Sequence, residues 1–380
     1  MDKKRIRVLY VVPRCASTGP LFVLRDIIRF CDRDAFSLQL IALGEEIPER
    51  CCWDEFAAML PCEHVLTSLK ESLLGRMAPL AAAIDSFSPH VIHSMGALPD
   101  IAVSRIHPEK QLVTIHCDFR ANYTETYGKL PGIALSRLHM RAVRKAKQAV
   151  AVSDSLSQTY DGEYRFHPSC IRNGVVIDPR GEEDKGLLRQ RLGLPKERTI
   201  FVCAATFSQG KNQSFLADMF EKQGANAPLL LLLGDGSMWP KLQATYQNAQ
   251  NVRMPGRVNN VRDYLHAADY YVSASRSEGM PLSVLEALAA GLPVLLSDIP
   301  PHREIAALAQ PGGELFQRDD GASFAKAMER LMGRDRRLAS RCAREAGEKH
   351  FNAVAMSQAY QQLYRSLRQD HREEAPACQP

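Results

Sequence analysis

No stretch of the chain approaches the roughly 18 consecutive apolar residues that a membrane-crossing helix needs. The ten cysteines, Cys15, Cys31, Cys51, Cys52, Cys62, Cys117, Cys170, Cys203, Cys342 and Cys378, form no C-x-x-C pair. This removes the zinc-ribbon and dithiol signatures, and scattered free thiols predict a reducing cytoplasm. The basic start Met1-Asp2-Lys3-Lys4-Arg5 leads into an apolar run, Val8 to Val12, that ends at Pro13-Arg14. That run is too short for a secretory h-region. A G-x-G-x-x-G fingerprint is absent, and no D-x-D pair suited to a metal–diphosphate is evident. A large charge imbalance is also missing: 48 basic against 43 acidic residues gives a net +5, which excludes the basic face of a nucleic-acid binder. What is present is an ordinary globular composition, 45% apolar over 380 residues, enough for two full cores without staples.

The order of patterns along the chain predicts a parallel α/β protein. Arg7 to Val12 is nearly all apolar, as a strand buried on both faces would be. A turn-rich loop, Pro13 to Pro20, follows. Leu21, Leu24, Ile27 and Ile28 then recur at helical spacing. Strands are predicted at Leu38–Leu43, His90–Ser94, Gln111–His116 and Ala149–Ser153, with a helix from about Leu74 to Phe87. The segment 174–199 is charged and reads as a linker with one peripheral helix. A second series then opens, with strands at Ile200–Ala204, Pro228–Leu233, Val252–Met254, Tyr270–Ser273 and Pro293–Ser297. The expectation is two doubly wound Rossmann-like domains facing across a cleft, residues 1–176 and 177–352. A helix at 353–368 packs back on the first, and a disordered tail occupies 369–380.

The densest signal is Ser273-Ala-Ser-Arg-Ser-Glu278-Gly-Met-Pro-Leu-Ser-Val-Leu-Glu286-Ala-Leu-Ala-Ala-Gly-Leu-Pro-Val294. Pro281 suits a first helical position, and the helix should stop at Gly291-Leu-Pro293. The N–H groups of Met280, Leu282 and Ser283 would then lie at a helix start beside a strand's C-terminal end, an anion site suited to a diphosphate. Two glutamates seven residues apart in this context resemble the E-x7-E motif of the retaining family 4 glycosyltransferases, whose architecture is GT-B. The resemblance implies that Glu278 contacts the donor sugar and Glu286 the nucleotide ribose, with Gly279 between strand and helix.

The resemblance extends from about Val8 to Tyr364. It maps a diphosphate-binding lysine onto Lys211, after a strand and the Gly210 turn. Where the family usually has an arginine, this chain has Thr206, which removes one cation. Pro255-Gly-Arg257-Val258 resembles the stretch that meets the nucleotide base, and Asp298 to Glu304 the loop closing after the motif helix. Leu233-Gly-Asp235-Gly-Ser237 reads equally as a plain strand-to-helix turn. In the first domain only Gly19 remains of the family's paired-glycine turn, and His116 resembles the strand-end histidine near the reacting sugar. The implied reaction moves a sugar from a nucleotide-diphosphate donor, most commonly a UDP-sugar, to an acceptor hydroxyl with retained configuration. It needs no metal and no cofactor, and it belongs to bacterial surface-polysaccharide or lipid-linked glycan assembly. Glu278, Lys211 and His116 would carry the chemistry.

Two further readings stay open: a sugar-nucleotide epimerase of the same fold, and a non-catalytic nucleotide-sugar binder. Separately, the predicted helix Leu135–Lys147 carries Arg137, Arg141, Arg144, Lys145 and Lys147 and no acid. Such a face suits peripheral contact with an anionic membrane on the cytoplasmic side.

Overall fold

The computed structural model describes residues 5–177, 185–224 and 227–373. They form two compact units. The first takes in the chain up to Asn173 and again from Ala353; the second is Gly174–Asn352.

The first unit is built on seven strands: β1 Ile6–Val12, β2 Phe36–Ala42, β3 Cys62–His64, β4 Val91–Ser94, β5 Gln111–Ile115, β6 Gln148–Ala151 and β7 Ser169–Cys170. All pair in parallel, in the spatial order 3-2-1-4-5-6-7. The second has six: β8 Ile200–Ala204, β9 Leu229–Leu233, β10 Val252–Gly256, β11 Tyr270–Ser273, β12 Val294–Ser297 and β13 Gly313–Phe316. These are also parallel, in the order 10-9-8-11-12-13. Both sheets are therefore doubly wound. The strand order reverses between β1 and β4 in the first and between β8 and β11 in the second.

Continuous apolar strands need cover on both faces, and they have it. All five leucines of β9 are at most 1% exposed, each contributing about 1.5–3 kcal/mol by leaving water. Phe201, Phe220, Phe316 and Phe324 complete a core with Leu216 and Leu331 from the covering helices.

Local chemistry moved several boundaries. The helix expected from about Leu74 to Phe87 starts later, at Ala78, and a separate short helix, Leu69–Leu73, ends just before Gly75, which sits at φ +72°. The first helix of the chain starts at Gly19 with Thr18 as N-cap, so Gly19-Pro20 belong to the helix rather than the loop. The basic helix runs Lys129–Val143, leaving Arg144 as C-cap and Lys145 and Lys147 beyond it. Strands β3, β7 and β13 had no counterpart in the sequence reading, because runs of two to four residues carry little periodicity. Of the expected linker, 178–184 lies outside the described residues, and a helix Lys185–Arg191 follows.

The last helix, Ala353–Glu373, packs within the first unit and extends past the expected stop at 368. Nothing between Gln369 and Glu373 breaks a helix; the first proline is Pro376. Residues 374–380 of the expected tail lie outside the described residues. Ser357 Oγ donates to the Ile27 carbonyl at 2.8 Å, and Gln361 Nε2 to that of Phe30 at 3.1 Å. Beneath, Tyr364 and Tyr360 are wholly buried against the sheet. Tyr364 shares a hydrogen bond with His93 Nδ1 at 2.8 Å, and Tyr360 shares one with Thr114 at 3.0 Å.

Candidate active site

In an open parallel sheet, ligands bind outside the strands' C-terminal ends where the strand order reverses. In the second unit that point lies between β8 and β11. The segment after β8 carries Thr206 and Lys211, and the segment after β11 carries Glu278. The sheet's own winding therefore brings together residues 67 apart in sequence.

The β8 segment is held from below by two glycines. Gly234 (φ +132°) and Gly236 (φ +148°) follow β9, and a Cβ on them would lie 2.1 Å from the Ala205 carbonyl and 2.5 Å from that of Phe207. No other residue fits at either place. Through this contact the Phe207 N–H donates to the Asp235 carbonyl at 2.7 Å. The segment ends at Asn212, in the left-handed region at φ 55°, and the helix Gln213–Glu221 begins. The Gly-Asp-Gly turn thus acts as the support of the Lys211 loop.

Lys211 Nζ donates to Glu278 Oε1 in an ion pair. The Glu278 side chain is 11% exposed. Burial alone would push its proton affinity up. The Lys211 ammonium, with help from the Ser275 hydroxyl, holds the carboxyl below its usual range instead. A hydroxyl network lies behind it. Ser297 Oγ donates to the Ser275 carbonyl at 2.6 Å, and His302 Nδ1 donates to the Ser297 carbonyl at 2.9 Å. Burial pushes His302 down to about 4, against the opposing pull of Glu278, so it is a neutral imidazole at pH 7.

The helix after Glu278 is Leu282–Ala289, with Pro281 as N-cap rather than first helical residue. The first intrahelical donor is Val284, to the Pro281 carbonyl at 3.1 Å, so Leu282 and Ser283 present N–H groups ahead of the ladder. The Ser283 hydroxyl accepts from Tyr271 at 2.8 Å, which fixes this helix start to β11. Gly279 and Met280 are buried in the bend, while Glu286 is exposed one turn further on. Thr206 is exposed, and its carbonyl accepts from Gln213 Nε2 at 3.0 Å. Arg257 and the half-buried Val258 follow β10, two strands from β8 on the same rim of the sheet; Arg257 lies 3.9 Å from Asp235.

Gly19 and His116 belong to the first unit. A Cβ on Gly19 would meet nothing within 4 Å, so open space, not steric demand, surrounds it. His116 follows β5; burial pushes it down to about 4, and its Nε2 is buried with no hydrogen-bond partner. Among the described residues, no group of three or more His, Cys, Asp and Glu side chains could hold a metal ion.

Ser275, Ser297, His302 and Tyr271 escaped the sequence reading. A usable signal existed for Ser275 and Ser297: polar residues at or just beyond the C-terminal end of buried apolar strands next to the reversal point.

Residues 198–334, which contain the whole Lys211–Glu278 site, match the family model described as Glycosyl transferases group 1. The chain is 30% identical over 215 residues to the putative teichuronic acid biosynthesis glycosyltransferase TuaC of Bacillus subtilis, covering 56% of this chain and 54% of that protein. It is 29% identical over 173 residues to an Escherichia coli UDP-Gal:alpha-D-GlcNAc-diphosphoundecaprenol alpha-1,3-galactosyltransferase, covering 43% and 44% respectively. The alignments thus span about half the length of these curated relatives. Among solved structures, a glycosyltransferase from Rickettsia africae superposes with a TM-score of 0.77 at 14% identity, over 96% of this chain and 98% of that one. Anabaena HepE in complex with UDP gives 0.75 at 17% identity, over 95% and 100%. The fold is that of the GT-B glycosyltransferases, and the homologues are named glycosyltransferases.

Proposed function

We propose that the protein transfers a sugar from a nucleotide-diphosphate donor to an acceptor hydroxyl with retained configuration, in the assembly of a bacterial surface polysaccharide or lipid-linked glycan. The observation that carries this reading is the Lys211–Glu278 pair at the β8/β11 reversal, beside the start of the helix Leu282–Ala289. Lys211 and the N–H groups of Leu282 and Ser283 supply positive potential for a departing diphosphate. Glu278, kept ionised by Lys211, is an acceptor for sugar hydroxyls. In the reaction the bond from the sugar's anomeric carbon to the diphosphate oxygen breaks, and a bond to the acceptor oxygen forms on the same face. The acceptor's proton passes to the departing phosphate oxygen. No metal and no protein nucleophile takes part. A UDP-sugar is the donor; the neighbour holding UDP and the relative named for a UDP-galactose reaction support that base. Glu286 binds the ribose and Arg257-Val258 meet the base. On the first unit, His116 at the end of β5 offers a neutral ring to a sugar hydroxyl.

The acceptor class brings a membrane into the proposal. No helix of the described residues is long and apolar enough to cross one. In the first unit, however, a groove of about 430 Å³ is lined by Arg120, Arg137, Arg141 and Arg144, against the single acid Glu163, over Ile133, Met140 and Tyr164. We read it as a peripheral contact with anionic lipid at the cytoplasmic face.

The deciding experiment incubates the protein with UDP-glucose, UDP-galactose and UDP-N-acetylglucosamine, each with and without a lipid-linked acceptor extract. Transfer of labelled sugar to the lipid phase supports the reading. An isomerised donor without transfer would instead identify an epimerase, and binding with neither product a nucleotide-sugar binding protein.

A further inference from the structure

A nucleoside diphosphate brings two to three negative charges to the rim of the second sheet. The β8 segment answers with one cation, Lys211, already committed to Glu278, and position 206 is threonine. Beyond Lys211 and the helix N–H groups, a diphosphate leaves charge on this rim for a further cation to meet. Arg276 lies two residues before Glu278, and its N–H donates to the Gly210 carbonyl at 2.7 Å, next to Lys211. The two segments that flank the reversal point are thus fastened together at this arginine. Its guanidinium is held by one partner, Asp319, with NH2 to Oδ1 at 3.1 Å and side chains 46% and 52% exposed. Exposed pairs of this kind contribute little and exchange readily. When Arg276 departs, Asp319 keeps the amide of Asn212 at 2.9 Å and the nearby charge of Arg318.

Resting on the donor-site reading above, we propose that Arg276 is the second cation of the diphosphate site. It does the work for which position 206 has no charge. Arginine is suited to this, because its planar fork binds two phosphate oxygens at once, whereas Lys211 acts as a point charge. In the unliganded protein Asp319 parks the guanidinium; on binding, the guanidinium moves from carboxylate to phosphate.

The test compares UDP with UMP by titration calorimetry, since only the second phosphate reports on this contact. Arg276→Gln should weaken UDP by about 10- to 30-fold, the scale of one charge-assisted pair, while UMP changes less than about twofold. Adding Thr206→Arg to Arg276→Gln should restore UDP to within about threefold of the parent, which a merely structural role for Arg276 would not permit. An unchanged UDP-to-UMP affinity ratio in Arg276→Gln overturns the proposal, as does a ratio lost in Arg318→Gln instead. Lys211→Ala separates the role of Arg276 from the donor site itself. If it abolishes the UDP preference while Arg276→Gln does not, only the role of Arg276 falls. If the unaltered protein binds none of UDP, GDP and ADP, the donor-site reading falls, and this assignment with it.

Discussion

Replacing Lys211 by alanine should separate two effects that the wild-type structure combines. The first concerns stability. Glu278 is 11% exposed and faces Lys211, so the variant keeps a buried carboxylate without its cation. Leaving such a group without its partner costs about 1–3 kcal/mol. For a unit of this size each kcal/mol lowers Tm by about 2–4 °C, so a fall of roughly 2–12 °C is expected. The sign with pH follows from the direction of the shift. Lys211 holds the Glu278 carboxyl below its unfolded value, so the pair stabilises the fold above about pH 4.3 and the contribution is lost as pH falls through the folded pKa. The difference between parent and variant should therefore be largest at pH 7 and shrink near pH 3–4. The second effect concerns turnover. Removing one preorganised charge from a developing oxyanion costs about 10²–10³ in kcat. The double variant Lys211→Ala/Glu278→Gln tells the two apart: it should regain most of the Tm and none of the turnover. Urea and thermal unfolding at both pH values, with a donor-hydrolysis or transfer assay, read all of this. Turnover of Lys211→Ala within threefold of the parent, or a double variant no more stable than the single one, would overturn the role given to this ion pair.

Gly236→Ala places a Cβ 2.5 Å from the Phe207 carbonyl at φ +148°, so it should cost about 2–3 kcal/mol and raise the Kd for UDP by loosening the Lys211 loop; urea unfolding and calorimetry check both. His93, His116 and His302 are pushed down to about 3, 4 and 4, so the unfolded chain binds protons that the folded one refuses. Stability should fall as pH drops from about 6.5 toward 4, by up to about 1.4 kcal/mol per pH unit for each histidine, and His302→Asn should flatten the slope. Arg137→Glu/Arg141→Glu should abolish sedimentation with anionic vesicles at low salt while leaving transfer to a soluble acceptor unchanged; parent protein that ignores anionic vesicles removes the membrane reading. Turnover should survive EDTA undiminished, and a loss reversed by Mg²⁺ or Mn²⁺ would place a metal in the reaction.

The ten longer strands and the helix after Glu278 are legible because each rests on a local rule: unbroken apolar runs for strands buried on both faces, and a strand-to-helix bend at Pro281; the two glutamates are legible through the family resemblance. The support of the site was not. Nothing local distinguishes Gly234 and Gly236 from ordinary turn glycines until the Ala205 and Phe207 carbonyls are found against them. His302 lies in a segment that reads as a closing loop; it bonds Ser297 locally, but Ser297 reaches the Ser275 carbonyl only because β12 pairs with β11.

By itself the sequence determined the two α/β series, the strand ends from which Lys211 and Glu278 project, and the absence of an arginine at 206. These follow from residue order and hydrophobic period, which act over a few residues. The three-dimensional structure was needed to show that Lys211 neutralises Glu278, that Arg276 is tied to the Lys211 loop at Gly210, and that Ser357 and Gln361 fasten the last helix to the Ile27 and Phe30 carbonyls. Each of these depends on segments tens to hundreds of residues apart meeting through strand pairing and burial, and the chain's local preferences do not encode such meetings.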